Sequence, residues 1–585
     1  MRTIPGLLLE VADHYRKPNA FQFKQANQWV RMSTDEFLAR VQEVSYGLRA
    51  FGIHKGDRVS ILSENRVEWA ICDYAAQSMG SIVVPIYPTS APAQIEALLK
   101  DSGARLVFVS SFELLEKVIV SRKRLRNLAY IVTFDPKIYQ PGVLRLETVH
   151  KIGKEIASEE PPDAFRQMAE AQNPEDVATI IYTSGTTGAA KGVMLSHRNL
   201  VSNVQATLRV LPLTSNDIEL SFLPLSHIFQ RHVDYVTFSV GATIAYAQSP
   251  ADAAVNMAEI GPTFVAGVPR FFEKVRAKIL LQGQTGSIVR KSVFNWAVDA
   301  GIRAVHTKRK GFQYKLADLI VLRRIREALG GHLRWLASAG AALDKQVGEF
   351  FAAIGLPILE GYGLTETSPV VTLTDPTDVR IGCVGKPVGD VQIQIAPDGE
   401  ILVKGSNVMQ GYFGKPEETL EALRDGWFHT GDVGELTPDG SLRIIDRKKD
   451  LIVTSTGKNV APQMIENRLK LIPYFENIMV VGDGRHFISA LIVPNLDAII
   501  SYARGNHIPF GDPQELIQRD EIYDLAMREI EMRTTDLSSH EHIRKIAFIR
   551  QGFSIDSGEL TPTLKVRRTI VEKKFRDQID RLYAA

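Results

Sequence analysis

The feature that most limits the fold is a repeated exchange between two hydrophobic rhythms in the first part of the chain. The stretch STDEFLARVQEVSYGLRAFG (33–52) spaces its apolar residues as an amphipathic helix behind a capping signal. DRVSILSE then reads as a strand, VEWAICDYAAQSMG as a helix and SIVVPIYP as a strand, and ALLKDSGARLVFVSS repeats the pattern. Strands separated by helices assemble into a largely parallel sheet with helices on its faces, so the expected class is layered α/β. At 585 residues the chain is too long for one ordinary core and must form several packed units.

From about Gly382 the texture changes to short strands and turns, as in GDVQIQIAPDGEILVKG and LTPDGSLRIIDRKKD. The Pro-Asp-Gly triplets are turn signals between strands. The expected organisation is an N-terminal domain over 1–446 whose last part, about 382–446, is a small β-rich subdomain. A charged junction at 447–449 follows, then a C-terminal domain over 450–585.

Composition narrows the function by exclusion. A formal charge of +2 gives no general case for nucleic acid as a partner. Cys72 and Cys383 supply neither a disulfide framework nor a zinc cluster, which fits a cytoplasmic setting. The N-terminal MRTIPGLLLEVADHYR is interrupted by Glu10 and reads as an amphipathic helix, not a signal. VTFSVGATIAYAQSPA, with Gly241, Gln248 and Pro250, is too short and polar to span a bilayer.

The chemistry is concentrated in YTSGTTGAAKG (182–192), a loop of glycines, hydroxyls and one lysine after the strand-like DVATIIYT. A nucleoside-triphosphatase loop needs Gly before its lysine and Ser or Thr after it, whereas Ala190 and Gly192 stand there. Gly185 and Gly188 still allow backbone N–H groups to turn inward as an anion nest. Ser184, Thr186 and Thr187 add hydroxyls, and Lys191 adds a mobile positive charge. A plain polar turn is the alternative reading of these residues alone.

Five motifs in order, YTSGTTGAAKG, EGYGLTE, WFHTGD, DRKKDLIVTSTGKNVAP and LTPTLKVRR, resemble the core motifs of the adenylate-forming superfamily. That superfamily includes acyl-CoA synthetases, peptide-synthetase adenylation domains and firefly-type luciferases, and the resemblance runs from about Asp35 to Lys574. It implies a large α/β N-terminal domain and a small mobile α+β C-terminal domain, with ATP, Mg²⁺ and coenzyme A as cosubstrates and cofactor.

The same resemblance implies roles for individual residues. The 183–191 loop would hold pyrophosphate, and Thr183 and Glu366 would serve the metal. Glu360, Gly361, Tyr362, Gly363 and Thr365, together with Gly340 and Ala341 in LASAGAAL, would surround the nucleotide. Tyr362 would offer its ring to adenine, and Gly340 would let backbone approach a flat ligand. Asp432 would accept from the ribose hydroxyls and Arg447 would reach the ribose. Lys565 would bridge the acyl carboxylate and the α-phosphate. Lys449 occupies the hinge position, and Thr456, Gly457 and Lys458 would admit the pantetheine arm. His227, in FLPLSHIFQ, would close an acyl pocket that also includes Val268 and Gly340. The catalytic set so implied is Lys565, Glu366, Lys191 and His227.

PLSHIFQRHVDY, VPRFFEKV and DGWFHTGDVGELTPDGSLRIIDRKKDL are most similar to long-chain fatty acyl-CoA synthetases, which implies ATP-dependent conversion of a fatty acid to its CoA thioester. Two alternatives stay open: a fatty acyl-AMP ligase that loads a carrier protein, and a non-catalytic module that binds nucleotide or acyl-adenylate. Residues 270–334 hold fifteen Lys and Arg against four Asp and Glu, with Phe294 and Trp296 among them. This marks either solvated helix faces or a surface that touches a phosphorylated cosubstrate or the anionic headgroups at the inner face of a membrane. A homodimer is compatible with the sequence.

Overall fold

The computed structural model describes residues 2–183, 190–554, 557–561 and 566–584. The α/β expectation holds. The chain divides into two compact units, one formed by 1–394, 402–430 and 436–443, the other by 395–401, 431–435 and 444–585.

Two large sheets organise the first unit. One has eight strands and is parallel through its middle, where Val177–Thr183, Ile82–Ile86, Arg58–Leu62, Leu106–Val109, Tyr130–Thr133 and Val143–Arg145 lie in that spatial order. The strands Arg58–Leu62 and Leu106–Val109 are buried almost throughout, as strands covered by helices on both faces must be. Ser33 and Glu36 form the capping box that starts the helix Thr34–Ala50, as the sequence predicts. The N-terminal segment is the helix Ile4–His14, with Leu7, Leu8 and Val11 buried.

The other sheet has nine strands, with a parallel centre ordered Ile358–Gly363, Trp335–Ser338, Phe264–Gly267, Ile218–Ser221, Thr243–Tyr246 and Phe21–Gln25. Its neighbours are often far apart in sequence: Phe21 pairs in register with Ile244.

The Pro-Asp-Gly turns fall where expected, between the strands Gln392–Ile395 and Glu400–Lys404 and between Phe428–Leu436 and Leu442–Arg447. The second unit carries the strands Phe475–Val481 and Ser489–Pro494, antiparallel, with Ile546–Phe548 parallel to the latter. Its core includes Ile465, Leu469, Ile478, Ile492 and Ile530. Among the described residues, no helix is long and apolar enough to cross a membrane.

Candidate active site

Four adjacent parallel strands of the nine-stranded sheet release the chain into candidate residues at their carboxyl ends. Ile218–Ser221 leads to His227, Phe264–Gly267 to Val268, Trp335–Ser338 to Gly340 and Ala341, and Ile358–Gly363 ends in Glu360, Gly361, Tyr362 and Gly363. Register fixes three of these strands side by side, with Gly267 opposite Ser338 and Ser338 opposite Glu360. The carboxyl edge of an open α/β sheet is where such folds bind ligands, because loops can diverge there without disturbing the core. Gly340 has φ +85°, and a Cβ built on it would meet nothing within 4 Å, so its backbone faces open space.

His227 is the N-cap of the helix Ile228–Ser239, and its Nδ1 accepts the Phe229 N–H at 3.1 Å. That bond leaves the ring proton of the neutral side chain on Nε2. The Tyr87 ring lies edge-on to it with centroids 6.5 Å apart, and burial pushes the Tyr87 hydroxyl pKa up. Glu360 is buried and desolvation raises its carboxyl pKa to about 7, although backbone hydrogen bonds from Gly382 and Leu343 favour the ionised form.

The strand Val177–Thr183 pairs antiparallel with the strand Lys191–Ser196, Thr183 opposite Lys191. Ser184, Gly185, Thr186, Thr187, Gly188 and Lys565 lie outside the described residues.

Thr365 and Glu366 sit in a short 3₁₀ turn, Thr365–Thr367. Three asparagines absent from the sequence reading organise the surrounding backbone. Asn407 Nδ2 donates to the carbonyls of Thr367 and Val370 at 2.9 and 3.1 Å. Asn203 exchanges hydrogen bonds with the backbone of Val370, donating at 2.7 Å and accepting at 2.9 Å. Asn199 donates to the carbonyls of Ser406 and Val408, both at 2.8 Å. Tyr412, also missed, donates its hydroxyl to Glu366 Oε1 at 3.0 Å, while the Lys191 ammonium lies 4.9 Å from the centre of its ring. Only a nearby glycine in GYFGKP marked this segment, and the partners of its tyrosine are 46 and 221 residues away.

No group of three or more His, Cys, Asp or Glu side chains among the described residues could hold a metal ion. The hard carboxylate of Glu366 nevertheless suits Mg²⁺, which keeps waters and takes one or two carboxylates together with phosphate oxygens. Glu366 and Thr183 have suitable oxygens for it.

In the second unit, Arg447 Nε donates to Asp432 Oδ1 at 3.0 Å, with the Asp432 side chain buried and Arg447 half exposed. The Lys449 side chain is exposed. Thr456, Gly457 and Lys458 form the exposed turn between the strands Ile452–Val453 and Asn459–Val460, closed by a bond from Gly457 N–H to Thr454 O at 2.8 Å.

A family profile described as AMP-binding enzyme matches residues 10–413, and one described as AMP-binding enzyme C-terminal domain matches 449–585. The long-chain-fatty-acid–CoA ligase FadD15 of Mycobacterium tuberculosis is 35% identical over 576 residues, covering 95% of this chain and 92% of its own. The ligase ACSBG2 of Xenopus laevis is 31% identical, covering 99% of this chain and 84% of its own. Among solved structures, the adenylation domain of a carboxylate reductase from Mycobacterium chelonae superposes with a TM-score of 0.77 at 22% identity, over 100% of this chain and 91% of that one. The last similarity bears on the fold alone. The profile matches and the near full-length relatives place the chain in the AMP-binding, adenylate-forming enzyme family.

Proposed function

We propose that the protein activates a long-chain fatty acid with ATP and transfers it to coenzyme A, giving acyl-CoA, AMP and pyrophosphate. The observation that carries this reading is the 35% identity, across 95% of the chain, to a ligase named for that reaction. The residues at the carboxyl edge of the sheet and around Glu366 support it.

In the first half-reaction, one carboxylate oxygen attacks the α-phosphorus of ATP and the bond to pyrophosphate breaks. The reacting groups are all anionic, so the site must supply positive charge and N–H donors aimed at the phosphates. The 183–191 loop and Lys191 do this for the leaving group. Mg²⁺, when bound, supplies further neutralising charge, and Glu366 with Thr183 would hold it. Tyr362, Thr365, Gly340, Ala341 and the Glu360–Gly363 strand end receive the nucleotide. The Asp432 carboxylate takes the ribose hydroxyls, oriented by its bond to Arg447. Lys565 carries charge to the acyl carboxylate and the α-phosphate.

In the second half-reaction, the thiol sulfur attacks the acyl carbon, the acyl C–O bond breaks and AMP leaves with that oxygen. The turn at Thr456, Gly457 and Lys458 admits the pantetheine arm after the C-terminal segment rotates about Lys449. His227 and Val268 line the acyl pocket. Each methylene buried there contributes about 0.8 kcal/mol, so pocket length can select chain length.

The same enzyme would meet its substrate at an anionic membrane surface through residues 270–334. Phe312 is 80% exposed and Leu319 66%, while Arg290, Lys308, Arg309, Lys310 and Lys315 are exposed in the same region. Apolar side chains with basic neighbours suit a headgroup boundary.

CoA-dependent AMP release with acids from acetate through dodecanoate to oleate tests the reaction. Thioester formation peaking at long chains is expected. Adenylate trapped by hydroxylamine without thioester would make the protein a carrier-loading ligase, and no turnover on any acid would make it a binding module.

A further inference from the structure

Tyr412 touches both Lys191 and Glu366, and it is 8% exposed. Its position is built by backbone as well as side chain. The strand Gly411–Tyr412 pairs antiparallel with Lys191–Ser196, Tyr412 opposite Val193, and Phe413 N–H donates to Gly192 O at 2.7 Å. Three residues earlier, Met409 N–H donates to the carbonyl of Glu366 at 2.8 Å. One short segment is thus fastened to the lysine's strand on one side and to the carboxylate's turn on the other.

The two contacts differ in kind. An ammonium over a ring face is held by its charge, without a directed hydrogen bond, and keeps N–H donors for an anion on its far side. A phenol O–H donated to one carboxylate oxygen is directional and fixes how the carboxylate is turned. We propose that Tyr412 is a positioning residue for the metal–nucleotide complex, its ring poising Lys191 for the phosphates and its hydroxyl orienting Glu366 for Mg²⁺. This rests on the acid-activating reading above.

The two halves of the role separate by substitution. Binding of ATP to the full-length protein is measured by calorimetry in EDTA and across a Mg²⁺ series, with melting curves to verify folding. Y412F keeps the ring, so its affinity for metal-free ATP stays that of wild type. Its Mg²⁺ requirement for tightened ATP binding rises about tenfold, the scale of one hydrogen bond to a charged group. Y412L also weakens metal-free ATP by about fivefold. In an E366Q background the Y412F effect on Mg²⁺ dependence disappears, which a merely structural role would not produce.

A Y412F protein with wild-type Mg²⁺ dependence overturns the proposal, and so does an effect that persists in E366Q. If Y412L folds poorly, Y412F and the E366Q cycle still decide the hydroxyl's role. Wild-type protein that binds no ATP would overturn both this proposal and the reading on which it rests. Mg²⁺-dependent ATP binding in wild type with no change in Y412F overturns the tyrosine's role alone.

Discussion

Glu360 illustrates how burial sets chemistry at a single position. Its folded pKa, raised to about 7 from an ordinary 4.5, means that the native state keeps a proton that the unfolded chain releases earlier. This contribution to stability is fully present below about pH 4.5 and is lost as pH rises through 7. Glu360→Gln, a neutral mimic, should therefore gain on wild type by roughly 1.4 kcal/mol per pH unit across that window, about 3 kcal/mol in all, then level off. Urea midpoints of the two proteins at pH 5 and pH 7.5 measure it, and a difference that does not change with pH would refute the assignment. Residues inside compact motifs, such as Lys191, Glu366 and Asp432, could be named as candidates from the sequence because a motif gathers several polar atoms within a few positions. Tyr412, Asn407 and Asn203 were not, because their value lies in partners brought close only by the fold: Asn203 bonds a backbone 167 residues away.

At the scale of elements, one guanidinium ties together elements that carry or lead to candidate residues. Arg231, on the helix capped by His227, is 1% exposed and forms an ion pair with Asp73 on the helix Val67–Ser78. It also donates to Thr179 Oγ1 at 2.8 Å, on the strand Val177–Thr183, and lies 5.4 Å from the ring centre of Trp69. Removing one partner of a buried pair leaves an uncompensated charge, so Arg231→Met should cost about 3–5 kcal/mol. Replacing both partners with apolar residues, Arg231→Met with Asp73→Leu, should recover much of that loss. Denaturation of the two variants against wild type checks this; a double variant no more stable than the single would show that the pair is not the dominant loss. Helix and strand positions were readable from periodicity, but such cross-ties were not. Gly153 is a further case: it sits inside the helix Leu146–Glu159, where glycine is unfavourable, because a Cβ there would lie 1.7 Å from the carbonyl oxygen of Glu43 on a neighbouring helix.

For the molecule as a whole, the class of fold was legible and the order of strands was not. Alternating helix and strand rhythms dictate parallel sheets, yet nothing local tells Phe21 to pair beside Ile244. The surface is likewise only partly written in composition. Among the described residues, seven of the seventeen exposed large hydrophobic side chains fall between Leu281 and Ile320, inside the basic stretch. Full-length protein should float with vesicles containing phosphatidylglycerol at low salt, and less with phosphatidylcholine alone or at high salt, where charge attraction is screened. Phe312→Ser with Leu319→Ser should reduce flotation while leaving ATP binding unchanged; equal flotation of variant and wild type would exclude this surface.

The central claim is that the fatty acid is activated as an adenylate before it reaches the thiol. Oleate labelled with ¹⁸O in both carboxylate oxygens, turned over with ATP and coenzyme A and followed by mass spectrometry of the nucleotide, tests it most directly. The account predicts one ¹⁸O in the phosphate of AMP and none in pyrophosphate, because the attacking oxygen stays on the α-phosphorus when the thioester forms. Label in inorganic phosphate with ADP as the product, or AMP free of label, would contradict it.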